Sequence, residues 1–218
     1  MSSLPNKIEI VPAILVKSRE ELLRKIEIVR PYVKNVQIDV MDGVFVPNKT
    51  IGIEELQDLP KGIRYEFHWM VHKPEEWIEK INGSFLHCVH VEARMDFERV
   101  KEAVREKKGK IGIVINPPTP LERAERYIKD VEEVMVMAVN PGFSNQKYIE
   151  SVEEKIKTLR KKYPRIRVSV DGGINLETIG RAARAGASKF YTASAVFSAE
   201  KPGEAIKKLK EEAEKNAG

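Results

Sequence analysis

Short runs of apolar and β-branched residues recur along the chain, each followed by a charged stretch whose apolar positions repeat at helical spacing. The runs span 8–15, 36–40, 64–71, 85–91, 111–115, 134–139, 166–170 and 189–192. Between them the 3.6-residue period predicts helices over 19–30, 74–81, 97–107, 121–128, 148–161 and 176–185, with 205–215 closing the series. A thinner pattern over 53–59 predicts a short helix. Strands alternating with helices of this length form βαβ units and a parallel sheet. Eight such units fit a closed (β/α)8 TIM barrel better than an open doubly wound sheet, where about six are usual. No Gly-x-Gly-x-x-Gly follows the first strand, so the main dinucleotide-binding signature is missing. No linker, low-complexity tract or short repeat interrupts the chain, and 1–218 reads as a single barrel domain.

In such a barrel the chemistry sits where strands end and the following loops begin. The unusual polar residues fall at that edge: Gln37 and Asp39 in the second run with Asp42 just after it, His68 in the third, Asn140 after the sixth, Asp171 after the seventh and Ser194 after the eighth. Side chains two apart on a strand share a face. Gln37, Asp39 and Met41 therefore point one way, as do Glu66, His68 and Met70. If those faces are the barrel interior, Asp39 and His68 meet Asp171 near the top of the core. Two carboxylates and an imidazole buried together are costly without a cation or proton between them, and a divalent metal satisfies them.

Taken singly, Asp39 or Asp171 reads as a cap or loop residue and His68 as a hydrogen-bonded core histidine. Met41, Met70 and Met137 read as core filler. Convergence on one edge is what favours a site. His87 and His90, on opposite faces of the fourth strand, read as structural, and Asp42 as a cap for the loop before Gly43. Gly142, Gly172 and Gly173 let backbone N–H groups approach an anion, and Ser194 begins a short helix whose N-terminus favours negative charge. Together they suggest a phosphate site after the last strands.

Composition narrows the function classes. The net charge of +5 invites a nucleic-acid reading, but Lys and Arg are interleaved with acids at helical spacing, the pattern of a solvated face. No nucleic-acid partner is expected, although a positive field helps collect a small phosphorylated ligand. The lone Cys88 cannot form an intrachain disulfide, and no apolar run approaches a signal peptide or a membrane span. A soluble cytoplasmic protein without a membrane partner is expected. Charged residues make up 33%, with Glu and Lys prominent, a composition that points to a thermophilic source.

Pro12-Ala13-Ile14-Leu15, the run from Asp39 to Asn48, His68 with Met70-Val71, and His90-Val91-Glu92-Ala93 follow one another along the chain. Asn116-Pro117 with Thr119-Pro120, Val139-Asn140-Pro141-Gly142-Phe143 with Gln146, and Val170-Asp171-Gly172-Gly173-Ile174 complete the series. In these motifs and their order the chain resembles the ribulose-phosphate 3-epimerase family, over roughly 10–197. The resemblance implies a barrel of the ribulose-phosphate-binding type that interconverts D-ribulose 5-phosphate and D-xylulose 5-phosphate. Asp39 and Asp171 are implied as the opposed acid and base at C3. One divalent ion (zinc, iron, manganese or cobalt) is implied at Gln37, Asp39, His68 and Asp171. Met41, Met70 and Met137 are implied beside the substrate, with Gly142, Phe143, Ser144, Gly172, Gly173, Ala193 and Ser194 around the substrate or its phosphate. The loop 43–50 is a candidate lid, and relatives often self-associate, so a homo-oligomer is left open.

The chain departs from the family pattern at several positions. Gln37 stands where the first metal-binding His is expected, and Ala13 and Ala138 replace Ser, which places three changes at the metal or substrate centre. Ser144-Asn145 replaces Gly-Gly, and Ala193 replaces the Gly before Ser194. Three readings stay open: the pentulose-phosphate 3-epimerase, a 3-epimerase of another ketose phosphate, and a non-catalytic phosphate-binding paralogue.

Overall fold

The computed structural model describes residues 7–143 and 146–218. Its strands are β1 (Glu9–Ile14), β2 (Asn35–Met41), β3 (Arg64–Met70), β4 (Leu86–His90), β5 (Lys110–Ile115), β6 (Glu133–Met137), β7 (Arg167–Asp171) and β8 (Lys189–Thr192). Each pairs in parallel with the next, and β8 closes the ring onto β1. The helices are α1 (Arg19–Val29), α2 (Pro74–Ile78), α3 (Phe97–Glu106), α4 (Glu122–Glu125), α5 (Val152–Lys162), α6 (Ile179–Ala185), α7 (Ser194–Phe197) and α8 (Pro202–Asn216). The closed eight-stranded barrel expected from the pattern is the observed architecture.

Local chemistry explains the elements. Ser18 caps α1 by accepting the N–H of Glu21, and Leu22, Ile26 and Val29 bury one stripe of that helix. Asp96 caps α3 in the same way through Glu98 and Arg99. Two starts lie later than the periodicity predicts. Ile149 donates its N–H to the carbonyl of Ala138, which holds the chain before α5 against the end of β6. Asn175 accepts from the N–H groups of Glu177 and Thr178, which delays α6 to Ile179. The stretch after β2 forms only the 3-10 turn Glu54–Leu56. No helix among the described residues is long and apolar enough to cross a membrane.

Strand parity sorts the molecule into two layers. Outward residues such as Ile38, Val40, Phe67, Val134, Val168 and Phe190 join the helix faces in one large apolar cluster. Full burial of each such side chain contributes roughly 1.5–3 kcal/mol relative to exposure, and that layer closes the ring. The inward layer is unusually polar. Lys189 Nζ lies 2.7 Å from Glu66 Oε2 and 2.8 Å from Glu133 Oε2. The Tyr191 hydroxyl lies 2.7 Å from Glu66 Oε2 and 2.8 Å from Glu133 Oε1, and Ser169 also donates to Glu133. Burial opposes a charge on Lys189, but the two carboxylates outweigh it and hold its proton above the usual lysine range.

Candidate active site

Above this polar layer the inward residues of β2, β3 and β7 meet. Asp39 is in register with His68 and Met137 with Asp171, so each pair stands at one height in the barrel. Gln37 Nε2 donates to Asp39 Oδ1 at 2.9 Å and to Asp171 Oδ2 at 2.7 Å. His68 Nδ1 faces the same two atoms at 3.2 and 3.4 Å. Asp39 and His68 are buried, and Asp171 is half-buried at the rim.

The electrostatics follow from this packing. Burial lowers the affinity of His68 for a proton, but its hydrogen bonds to Asp171 and Asp39 prevail and push it up to about 9. Burial raises Asp39 above the usual carboxylate range and the charge of Asp171 adds to this, against the lowering effect of His68. Two carboxylates this close need positive charge beside them.

The donor set suits a divalent cation. One ligand atom each from Asp39, His68 and Asp171 lies within 4.8 Å of the others. Gln37 Oε1 is buried with no hydrogen-bond partner. Turning the amide about its last side-chain bond exchanges Oε1 with Nε2, which brings a fourth donor, an oxygen, toward both carboxylates. The set is richer in oxygen, and so harder, than one with two imidazoles.

Around these groups a pocket opens at the C-terminal ends of the strands. Asp39, His68, Asp171, Met41, Met70, Met137, Gly142, Phe143, Gly172, Gly173, Ala193 and Ser194 all line it. Gln37 lies beneath, out of the lining. Ser144 falls outside the described residues. Gly172 and Gly173 have φ of 107° and 65°, and neither leaves room for a side chain. A Cβ at 172 meets Val139 Cγ2 at 2.5 Å, and one at 173 meets the Tyr148 nitrogen at 2.8 Å. The short helix expected at Ser194 is present as the four residues of α7.

The loop 43–50 folds across the mouth. Asp42 caps it by accepting from the N–H groups of Val44 and Phe45, and Asn48 donates to the Gly142 carbonyl at 2.8 Å. Val46 packs on Met41 and Met70.

One placement drawn from the resemblance needs correction. Ala138 packs in the outer apolar layer rather than at the substrate centre, because it follows Met137 and takes the opposite parity. Ala13 does line the pocket. Two residues escaped the functional reading. Tyr191 forms part of the pocket floor, and His90 lies 2.8 Å from His68 through their Nε2 atoms. Parity carried the signal for both: position 90 shares the inward face of β4 with 88, and 191 shares that of β8 with 189.

The model of the ribulose-phosphate 3 epimerase family matches residues 9–197. The cytoplasmic isoform of ribulose-phosphate 3-epimerase from Oryza sativa is 36% identical over 187 residues, covering 82% of each chain. The ribulose-phosphate 3-epimerase of Bacillus subtilis is 37% identical over 175 residues, or 74% of this chain and 79% of that one. Among solved structures, 3-hexulose-6-phosphate synthase from Salmonella typhimurium superposes with a TM-score of 0.69 at 15% identity, over 96% of this chain and 100% of that one. KGPDC from Streptococcus mutans in complex with D-R5P gives 0.72 at 15% identity, over 97% and 99%. At that identity the two structures speak for the barrel alone.

Proposed function

The chain belongs to the ribulose-phosphate 3-epimerase family, and from that premise we propose that it interconverts D-ribulose 5-phosphate and D-xylulose 5-phosphate. The observation that carries this reading is the meeting of Asp39 and Asp171 beside His68 in one pocket. Epimerisation at C3 removes a proton next to a carbonyl and returns one to the opposite face. Two carboxylates flanking one carbon perform both steps, one as base and one as acid, with the roles exchanged in reverse. The raised Asp39 is suited to this work, because a carboxyl shifted toward neutrality gives up and takes back a proton more evenly.

Met41, Met70 and Met137 supply an apolar wall that keeps water from the carbanionic centre. The backbone at Gly172, Gly173 and Ser194 lines the pocket and receives the phosphate, the positive φ at both glycines turning the chain there while Val139 and Tyr148 fill the side-chain positions. When bound by Asp39, His68, Asp171 and Gln37 Oε1, a divalent ion supplies Lewis-acid neutralisation of the enediolate charge. The cytoplasmic isoform among the relatives supports a cytoplasmic location.

The test is turnover of D-ribulose 5-phosphate together with exchange of its C3 proton into deuterated water. Asp39→Asn and Asp171→Asn are each expected to lower kcat by about 10²–10⁴-fold with the fold retained. Wild-type protein that neither turns over the pentulose phosphate nor exchanges its C3 proton with any of manganese, cobalt, iron, zinc or magnesium overturns the reading.

A further inference from the structure

A line of polar groups leads away from the two carboxylates, and the proton transfers described above leave it without a role. His68 presents Nδ1 to Asp39 and Asp171 and turns Nε2 to His90 Nε2 at 2.8 Å. The ring centroids are 5.0 Å apart with planes 20° from parallel. With the nitrogens at 2.8 Å, that separation means the rings meet edge to edge, sharing one hydrogen bond. His90 Nδ1 then lies 3.3 Å from Glu92 Oε2, while Glu92 Oε1 accepts the Asn116 N–H at 3.0 Å. Phe45, from the loop across the mouth, packs against the outer side of His90 with centroids 4.8 Å apart. His90 is fully buried.

The order of protons along this line follows from donor and acceptor counting. An ionised carboxylate only accepts, so His90 carries its hydrogen on Nδ1, toward Glu92. A neutral imidazole has a single N–H, which leaves His90 Nε2 as an acceptor. The donor across the 2.8 Å contact is then His68 Nε2. We propose that His90 and Glu92 are positioning residues that hold His68 by its Nε2–H, so that Nδ1 alone faces the two carboxylates and any cation among them. The inference rests on the reading above only in making His68 part of the reaction centre. Partners of this kind orient a ligating imidazole and fix its tautomer.

Glu92→Gln separates this role from a merely structural one. Its amide oxygen keeps the Asn116 N–H while its NH₂ turns to His90 Nδ1. That nitrogen must become an acceptor, so the His90 proton moves to Nε2 and opposes the one on His68. Long-range 1H–15N correlation spectra of the full-length protein are expected to show His90 protonated at Nδ1 alone in the wild type and in Glu92→Asp. In Glu92→Gln the tautomer reverses. Mn2+ affinity, read by electron paramagnetic resonance titration, falls by about 10–100-fold in Glu92→Gln, and kcat falls with little change in KM. A wild-type His90 protonated at Nε2 or at both nitrogens overturns the proposal, as does Glu92→Gln with unchanged tautomer and Mn2+ affinity. Absence of pentulose-phosphate turnover with the spectra and Mn2+ data as expected overturns the assigned reaction and leaves the positioning role standing.

Discussion

Gln37 touches both carboxylates through one end of its amide and leaves the other end buried without a partner. An unsatisfied buried acceptor costs about 1–3 kcal/mol, so the side chain has a standing reason to turn when a cation offers Oε1 a partner. Gln37→His replaces that oxygen with imidazole nitrogen, a softer donor that binds zinc more tightly. Zinc affinity measured by competition with a chromogenic chelator is expected to rise at least tenfold, and an unchanged affinity would show that position 37 is not a ligand position. Asp39, His68 and Asp171 were legible from parity, because residues two apart must share a face and a closed ring gives all such faces one interior. Parity put His90 on the inward face of β4, but nothing in the sequence marked which neighbouring strand it meets there. That contact depends on the register between β3 and β4.

At the scale of the element, β4 shows what a single strand can carry on its two faces. His87 points outward, where Trp69 Nε1 donates to its Nδ1 at 3.1 Å, and His90 points inward. Burial holds both neutral, lowering His87 to about 3 and His90 to about 4. In the unfolded chain each takes up a proton near pH 6.5. The unfolded state therefore binds more protons between pH 6.5 and 4. The stability these neutral rings contribute is complete above about 6.5 and is lost as the pH falls. Urea unfolding is expected to show stability decreasing from pH 6.5 to 4, by up to about 1.4 kcal/mol per pH unit for each histidine. His87→Leu should flatten that slope by about half. A pH-independent midpoint across this range would contradict the neutral assignment. Strand positions were readable to within a residue or two because β-branched runs bounded by charge leave little latitude. The starts of α5 and α6 were not, because each depends on a loop contact, Ile149 with Ala138 and Asn175 with Thr178.

The molecule as a whole is an apolar sleeve around a partly ionic bore. The sleeve was legible, since each outward strand face matched an amphipathic helix stripe. The bore was legible only at Glu66, which shares the face of His68; Glu133 and Lys189 look like surface residues at a strand start, and only closure of the ring brings the three together. Removing one partner from a buried charge group typically costs about 3–5 kcal/mol. Lys189→Met is expected to lose that much in chemical unfolding, because it leaves Glu66 and Glu133 without their cation. Replacing all three with apolar residues of similar volume should recover most of the loss, and a harmless single substitution would show that the network contributes little.

The three groups sit on β3, β6 and β8, spaced around the circumference, and they meet on the axis with Tyr191 between them. The arrangement works like a tie rod through a wheel. A staved barrel normally fails one slat at a time, beginning where the hoop is thinnest. Here a departing slat from any of these places would strand unlike charges on opposite sides of a widening gap, so the hoop gives way all together.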